Sequence, residues 1–451
     1  MKPLRLLIAL LVLLGLAGAV WYSERHPPQP KSEVKTEKII STPEDQFKRV
    51  QIIRAGGETV ALERGEDSKW RLTQPKAYKA DESSANSMVS NLASLNADQV
   101  VAEKNTDWAT YGLEPGKINV QIGLKDGKNL KLSLGEEAPT SSSTYARLEG
   151  DPRLFTIASY VKSSLDKPVL DLRDKRMLPF DSEKVSRVTV ATKDQTLEFG
   201  KSGTVWQIVK PRPLRADNYS VDDLVRSVRD ANFDSILDEG EKPSAKYSLA
   251  TPHATFEAVD PSGVHSLTIG KQIGKDKDKT VTYYAKTSAM PGIFKINSTM
   301  AEGLAKKLAD LRNKKLFDFG WSDPQKLEVR DGEVRLVIEK QKDKDKEKWV
   351  RADAGKKELP SDKVQTLIDN LRNLSSKAFT ADEAPAQAKY GLNKPVAEAK
   401  ITSDEGKRVE RVIFAAGPEL KYFVARENEP ATYEIEKSAY EDFQKAIAAL
   451  K

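Results

Sequence analysis

The strongest constraint on the fold of this chain is a residue pattern that occurs three times. Each copy has a tryptophan, then an aspartate, then a Tyr-x-Leu triplet. The second copy follows the first by 136 residues, and the tryptophan and Tyr-x-Leu triplet of the third follow those of the second by 143 residues. A period of this length indicates one folding unit repeated along the chain. The residues that define the copies are Trp70, Pro75, Asp81, Tyr111, Gly112 and Leu113, then Trp206, Pro211, Asp217, Tyr247 and Leu249, then Trp349, Asp362, Tyr390, Gly391 and Leu392.

Alternating apolar residues predict that each copy is mostly β-sheet. Gly56-Gly57 and Asp331-Gly332 lie between alternating runs, as hairpin turns do. Short connections favour antiparallel pairing over a doubly wound parallel sheet. We therefore predict an α+β fold of three tandem modules, each a mostly antiparallel sheet with packed helices, preceded by one N-terminal transmembrane helix. The predicted module boundaries are 46–181, 182–322 and 323–451.

The repeated residues are predicted to serve packing and chain geometry. The tryptophans are expected in the core because they bury a large area, with stacking on sugars as the alternative. Pro75 and Pro211 are expected to end strands, since proline lacks an N–H. The aspartates Asp81, Asp217 and Asp362 are expected to cap helices rather than to act as paired catalytic carboxylates.

Further elements are predicted after each Tyr-x-Leu triplet. Strands are expected to end at Gly135, Gly270 and Gly417. The next strand is expected to place Tyr145, Tyr284 and Val424 at equivalent positions. A second helix is predicted in each copy, over 158–166, 298–311 and 436–450.

The first 22 residues are predicted to direct export. Leu6–Tyr22 carries no charge, and 17 residues of helix span roughly 25 Å. Lys2 and Arg5 precede this run, which places the N-terminus in the cytoplasm. A signal anchor is favoured because the run is long and ends in aromatic residues. A cleaved signal peptide is the alternative, since Ala17-Gly18-Ala19 fits a cleavage site.

Both alternatives place the body of the protein outside the cytoplasm. The anchor predicts a single-pass protein of the bacterial inner membrane with a periplasmic C-terminal body. Residues 23–45 hold four prolines and many charges, which predicts a linker between membrane and body.

The composition excludes several kinds of chemistry. The 451 residues include no cysteine, so disulfides, thiolate nucleophiles and cysteine-ligated metals are excluded. The net charge of +6 is evenly mixed along the chain, which argues against nucleic-acid binding. His26, His253 and His265 belong to no metal-binding or catalytic motif. We predict no catalytic residue, no metal site and no cofactor, and hence a protein that is not an enzyme.

The motif set resembles the bacterial domain of unknown function 4340 family. The resemblance covers about residues 46–451 and rests on Trp-x-Leu/Ile, Ala-Asp, Tyr-Gly-Leu-x-x-Pro and Tyr-Ala-Arg taken together. The second copy departs from it at Ser248, and the third has Leu359-Pro360-Ser361-Asp362 in place of the Trp-x4-Pro spacing. The family's activity is unknown, and the resemblance implies an accessory role beside ABC-type export or gliding systems.

Two functions remain open on the sequence. The first is a non-enzymatic, membrane-anchored scaffold or accessory subunit of an envelope system, with an envelope protein as partner, because repeated modules offer extended contact area. The alternative is a periplasmic binding module for envelope glycan or lipid.

Overall fold

The computed structural model describes residues 37–139, 142–238, 245–274, 279–320, 324–343 and 346–451. The predicted membrane segment at 1–22 and most of the predicted linker at 23–45 lie outside the described residues. Within the described ranges, no helix combines the length and the apolar character needed to cross a bilayer. The chain divides into two compact units, Met1–Lys175 and Arg176–Lys451.

The first unit contains an open sheet of nine strands in which all neighbours are antiparallel. Their order across the sheet is β4-β3-β2-β1-β6-β7-β8-β9-β5. The elements are β1 (Phe47–Arg54), β2 (Thr59–Arg64), β3 (Trp70–Gln74), β4 (Tyr78–Lys79), α1 (Glu82–Ala93), β5 (Gln99–Ala102), β6 (Ile118–Leu124), β7 (Asn129–Glu137), β8 (Ser143–Leu148), β9 (Leu154–Ala158), α2 (Ser159–Leu165) and α3 (Val169–Leu172).

The second unit contains two more sheets of nine antiparallel strands. The second sheet has the order β13-β12-β11-β10-β15-β16-β17-β18-β14. Its elements are β10 (Arg187–Thr192), β11 (Thr196–Ser202), β12 (Val205–Lys210), β13 (Leu214–Arg215), α4 (Asn218–Arg229), β14 (Ser235–Asp238), β15 (Ala254–Asp260), β16 (Gly263–Ile273), β17 (Val281–Thr287), β18 (Ile293–Ile296), α5 (Ser298–Gly303) and α6 (Leu308–Leu311).

The third sheet has the order β22-β21-β20-β19-β24-β25-β26-β27-β23. Its elements are β19 (Lys326–Asp331), β20 (Val334–Asp343), β21 (Lys346–Arg351), β22 (Lys357–Leu359), α7 (Ser361–Asn373), β23 (Ala378–Ala381), α8 (Ala384–Lys389), β24 (Ala397–Ser403), β25 (Arg408–Ala416), β26 (Tyr422–Arg426), β27 (Thr432–Ile435) and α9 (Lys437–Ala448).

All three sheets are built in the same way. Four strands form a meander, a helix crosses the sheet, and the strand after the helix joins the far edge. A second four-stranded meander then fills the space between the first strand and that edge. Each sheet therefore begins and ends with a strand of two to four residues. The predicted α+β class with antiparallel sheets is confirmed for the described residues.

One face of each sheet is covered by helices. In the first unit, Met88 and Leu92 of α1 lie in one apolar cluster with Val50, Ile52 and Trp70 of the strands. These side chains recur every three or four residues on the helix and every two on the strand, so each element turns one face inward. The core is thus a single layer between helices and sheet.

The segment before β1 also joins this core. Ile40 is buried, and the backbone N–H groups of Ile39 and Ile40 donate to the carbonyl of Leu95. Ile39 and Ile40, within the range 23–45 that the sequence indicates as a linker, thus belong to the folded body.

Two element predictions are wrong. The single helix expected over 298–311 is two short helices, α5 and α6, because the Asp310 carboxylate and the Lys307 backbone form a new helix start. The strands expected to end at Gly135 and Gly270 continue to Glu137 and Ile273. These glycines meet a loop that crosses the strand, as described below.

Candidate functional site

The three repeated tryptophans lie in the cores of their modules. Trp70, Trp206 and Trp349 are 2%, 1% and 5% exposed, which confirms the packing prediction. The indole Nε1–H of Trp206 also donates to the carboxylate of Asp222 at 2.7 Å. Strands β3 and β12 end one residue before Pro75 and Pro211, respectively, as predicted.

Two of the three repeated aspartates cap helices. The side chains of Asp81 and Asp217 each accept a hydrogen bond of 2.7 Å from the backbone N–H three residues further on. The prediction is wrong for Asp362. Helix α7 begins at Ser361, Pro360 is at the N-cap without a side-chain hydrogen bond, and Asp362 lies inside the first turn.

The Tyr-x-Leu loops pack on the sheet face opposite the helices. Leu154 contacts the first loop, whereas the adjacent Phe155 belongs to the helix-covered core. Neighbouring strand residues point to opposite faces, so each sheet is covered on both sides. Leu113, Leu249 and Leu392 are all buried in these loop clusters. The aromatic pairs that anchor the loops, with their ring-centroid distances, are Tyr111–Tyr145 at 4.9 Å, Tyr247–Tyr284 at 5.1 Å and Tyr390–Phe423 at 4.7 Å.

The strand register corrects the predicted alignment of the third copy. Phe423, rather than Val424, occupies the position of Tyr145 and Tyr284. The repeated feature at this position is therefore an aromatic ring that receives the loop tyrosine. The sequence hid this equivalence because Val424-Ala425-Arg426 matches Tyr-Ala-Arg better by letter than Phe423-Val424-Ala425 does.

The same register explains the strand glycines. A Cβ atom on Gly135 or Gly270 would lie 2.0 Å from the carbonyl oxygen of the loop tyrosine. Ala415, rather than Gly417, occupies this position in the third sheet. There a Cβ on Gly391 of the loop would lie at an ordinary contact distance of 3.5 Å from the Cβ of Ala415. The third loop thus lies further from its strand than the other two.

The histidines are not arranged as a catalytic relay. Nε2 of His265 lies 3.1 Å from both the Asp260 carboxylate and the Ser262 hydroxyl. A serine–histidine–aspartate triad needs these groups on opposite ring nitrogens. The hydrogen bond from Ser262, together with smaller contributions from His265, outweighs burial and lowers the pKa of Asp260 to about 2. His253 lies 3.4 Å from a carboxylate on α5, and His26 lies outside the described residues.

No metal centre is evident in the described part of the chain. None of its histidine, aspartate and glutamate side chains forms a group of three or more that could hold a metal ion.

The second unit contains a large cavity between its two sheets, which we call the junction cavity. Its volume is about 890 Å³. One wall comes from β12, β13 and the start of α4, and the other from the start of β25 and the turn before β27. Of the repeated residues, only Trp206 lines it. The polar lining residues are Gln207, Arg212, Arg215, Asn218, Asn313, Asp318, Arg408, Asn428, Glu429 and Tyr433.

Ion pairs cross the floor of the junction cavity and join the second sheet to the third. Arg215 of β13 lies 2.8 Å from Asp318 and 2.8 Å from Glu429. Arg426 of β26 lies 3.0 Å from both of these carboxylates and 3.3 Å from Glu410. We call these five residues the junction network.

Each carboxylate of the junction network has more than one donor. Burial alone would raise the pKa of Asp318, but Arg215 and Arg426 outweigh it and hold that pKa below its usual value. Glu429 also accepts a hydrogen bond of 2.7 Å from the hydroxyl of Tyr433, whose own pKa is raised by burial and by this carboxylate. Such multiply bonded pairs offset the cost of removing charges from water.

Sequence reasoning missed both the junction cavity and the junction network. Asp318 and Glu429 correspond to Pro179 and Met290 in the preceding copy, so a search for repeated residues passes over them. The signal that could have found them is an acidic residue that stands where the preceding copy has an uncharged one.

Comparison with known proteins supports the sequence resemblance. No curated protein matches the chain. Three segments, residues 70–204, 206–361 and 349–450, match the family described as domain of unknown function (DUF4340). These matches together span most of the chain and follow the repeat that the three sheets display. The chain therefore belongs to the DUF4340 family and carries its domain as tandem repeats.

Proposed function

We propose that this protein is a non-enzymatic scaffold or accessory subunit of a bacterial envelope system, anchored in the inner membrane with its body in the periplasm. The observation that carries the proposal is the threefold construction of one nine-stranded sheet. Repeated modules enlarge the contact surface without adding catalytic sites, which suits partner binding. An ABC-type transport complex is the kind of partner that the family resemblance favours.

Partner capture tests this proposal. The tagged chain, expressed at its native level, is extracted in mild detergent and purified with its neighbours. We expect a membrane protein complex to co-purify in fixed stoichiometry. Recovery of the tagged chain alone, before and after cross-linking in intact cells, contradicts the scaffold function.

Protease accessibility tests the proposed location. We expect external protease to digest the body in spheroplasts but not in intact cells, and the protein to sediment with inner membranes. A chain from which residues 1–22 are deleted serves as the control and should remain in the cytosol. Protection of the body in spheroplasts contradicts the proposed topology.

A second candidate function is binding of an envelope glycan or lipid. The junction cavity favours it, because about 890 Å³ falls within the usual range for ligand pockets. A reproducible rise in melting temperature with cell-wall fragments or lipid headgroups supports this candidate.

A further inference from the structure

The junction cavity contains hydrogen-bond donors that its own side chains do not use. The acidic groups on its floor are already neutralised. Arg215 contacts both Asp318 and Glu429 and donates to the carbonyl of Lys315 at 2.7 Å. Asn313 donates to Asp318 and accepts from a backbone N–H. A ligand would therefore find little free negative charge on the floor.

Two guanidinium groups of the lining are only partly used. Arg408 contacts Glu410 through Nε at 2.9 Å, and its two Nη groups have no partner among the described residues. The contacts that Arg212 makes with described residues are long, 3.4 Å to the carbonyl of Asp382 and 3.6 Å to Glu383. The planar guanidinium group matches the two oxygens of a carboxylate, so these side chains suit an anionic group.

Two carboxamides add to these free polar groups. The side chains of Gln207 and Asn428 line the junction cavity, are exposed, and have no hydrogen-bond partner in the described part of the chain. A carboxamide both donates and accepts, as a sugar hydroxyl does. Between these groups the lining is apolar, with Pro213, Leu214 and Pro430 suited to the C–H faces of a sugar ring.

We propose that the junction cavity binds an acidic carbohydrate, a hydroxyl-rich chain that carries a carboxylate. Arg212 and Arg408 hold the carboxylate, and Gln207 and Asn428 bind the hydroxyls. The proposal rests on the second candidate function and names the class of glycan that this function requires.

Calorimetric titration of the full chain tests the proposal with three probes. Trigalacturonate carries both hydroxyls and carboxylates, its methyl ester keeps the chain without the charge, and citrate carries the charge without the sugar. We expect trigalacturonate to bind at least tenfold more tightly than the ester, since loss of a charge-assisted contact costs about one factor of ten. We expect citrate to bind weakly or not at all.

Variants assign the binding to the junction cavity. R212Q and R408Q should each weaken trigalacturonate binding about tenfold. R187Q removes an exposed arginine of β10, outside the cavity, and should leave the affinity unchanged. Q207A should weaken the binding of both trigalacturonate and its methyl ester. Because Gln207 lies outside the junction network, the Q207A result stands even if R408Q alters folding.

The possible failures differ in meaning. Equal affinity for trigalacturonate and its ester overturns the acidic specificity and leaves the second candidate function standing. Equal affinity for citrate and trigalacturonate overturns recognition of the sugar. Absence of binding by both trisaccharides, or unchanged affinity in R212Q and Q207A, overturns the site itself. None of these results bears on the scaffold function, which partner capture tests separately.

Discussion

The absence of one side-chain carbon decides how the Tyr-x-Leu loop meets its sheet in the first two modules. Gly135 and Gly270 lie under the carbonyl of the loop tyrosine, where a Cβ would come within 2.0 Å of that oxygen. The opposing atom belongs to the backbone and cannot turn aside as a side chain does. The loop must therefore lift if either glycine gains a side chain.

Substitution of these glycines should destabilise the first two modules. We expect G135A and G270A each to lower the free energy of unfolding by roughly 1–3 kcal/mol, the usual cost of overpacking. The measurement is urea denaturation followed by tryptophan fluorescence. G303A is the matched control, because nothing lies within 4 Å of its added Cβ. Equal stability of G135A, G270A and G303A contradicts the close contact.

A second prediction at residue scale concerns acid stability. The pKa of Asp260 is lowered to about 2 in the folded chain, below the value of about 3.9 for an unfolded aspartate. The ionised carboxylate of Asp260 therefore stabilises the folded chain fully above about pH 4, and this stabilisation is lost as the pH falls towards 2. D260N should have a lower melting temperature at pH 7 and a smaller further loss between pH 4 and 2.

The control for this prediction is D194N, on the exposed turn between β10 and β11. We expect it to follow the wild-type melting curve at every pH. If the D260N curve also runs parallel to that of the wild type down to pH 2, the carboxylate of Asp260 contributes nothing in its ionised form.

Residue-scale roles were only partly predictable from the sequence. The buried tryptophans and two of the helix caps followed from residue type and local spacing. The role of Gly135 did not, because a glycine at the end of an alternating run also indicates a strand end. Only the tertiary contact with a loop that begins more than twenty residues earlier separates these interpretations.

At the scale of elements, the three long crossing helices start in two different ways. Helices α1 and α4 start with an aspartate whose carboxylate accepts a first-turn N–H, whereas α7 starts after Pro360. The sequence aligned the three aspartates, but helix α7 begins two residues earlier relative to its aspartate. A shift of two residues moves the carboxylate away from the N–H groups that it would satisfy.

Substitutions at the three aspartates should distinguish the two kinds of helix start by their effect on stability. D81A and D217A should each lower the free energy of unfolding by about 1 kcal/mol, because a first-turn N–H loses its acceptor. D362A serves as the internal control. It should lower the free energy of unfolding by no more than a few tenths of a kcal/mol, because it removes only the weak interaction of an acidic residue with the helix dipole. Chemical denaturation of the three variants gives the comparison, and equal losses at all three positions contradict the observed helix starts.

Element types were more predictable than element limits. Hairpins at Gly56-Gly57 and Asp331-Gly332 followed from alternation and turn residues. The break between α5 and α6 did not, since the apolar spacing continues across it while a new cap forms at Lys307. Local hydrogen bonds outside the apolar pattern set such limits.

At the scale of the whole molecule, the junction network is one of the contacts that join the second and third sheets within one compact unit. Removal of one member of a buried charge cluster leaves the remaining charges without an opposite charge, which lowers the free energy of unfolding by about 3 kcal/mol. The sequence could not indicate this coupling, because Arg215 and Glu429 are more than two hundred residues apart and neither belongs to the repeat.

Calorimetry should report this coupling directly. We expect two unfolding transitions in the wild-type chain, one for each compact unit. D318A should split the transition of the second unit, because the second and third sheets then unfold separately. E441Q, which removes half of an exposed ion pair on α9, is the control and should leave two transitions. Two transitions in D318A contradict the coupling.

The short outermost strands have a consequence for contacts between copies of this chain. Each sheet is open, and a long free edge would offer unpaired N–H and C=O groups to a neighbouring copy. Strands β4 and β13 have two residues, β22 has three, and β5, β14 and β23 have four. Each edge therefore presents too few groups to template a continuous ladder. We therefore expect copies of this chain that lie side by side to resist joining edge to edge into fibrils.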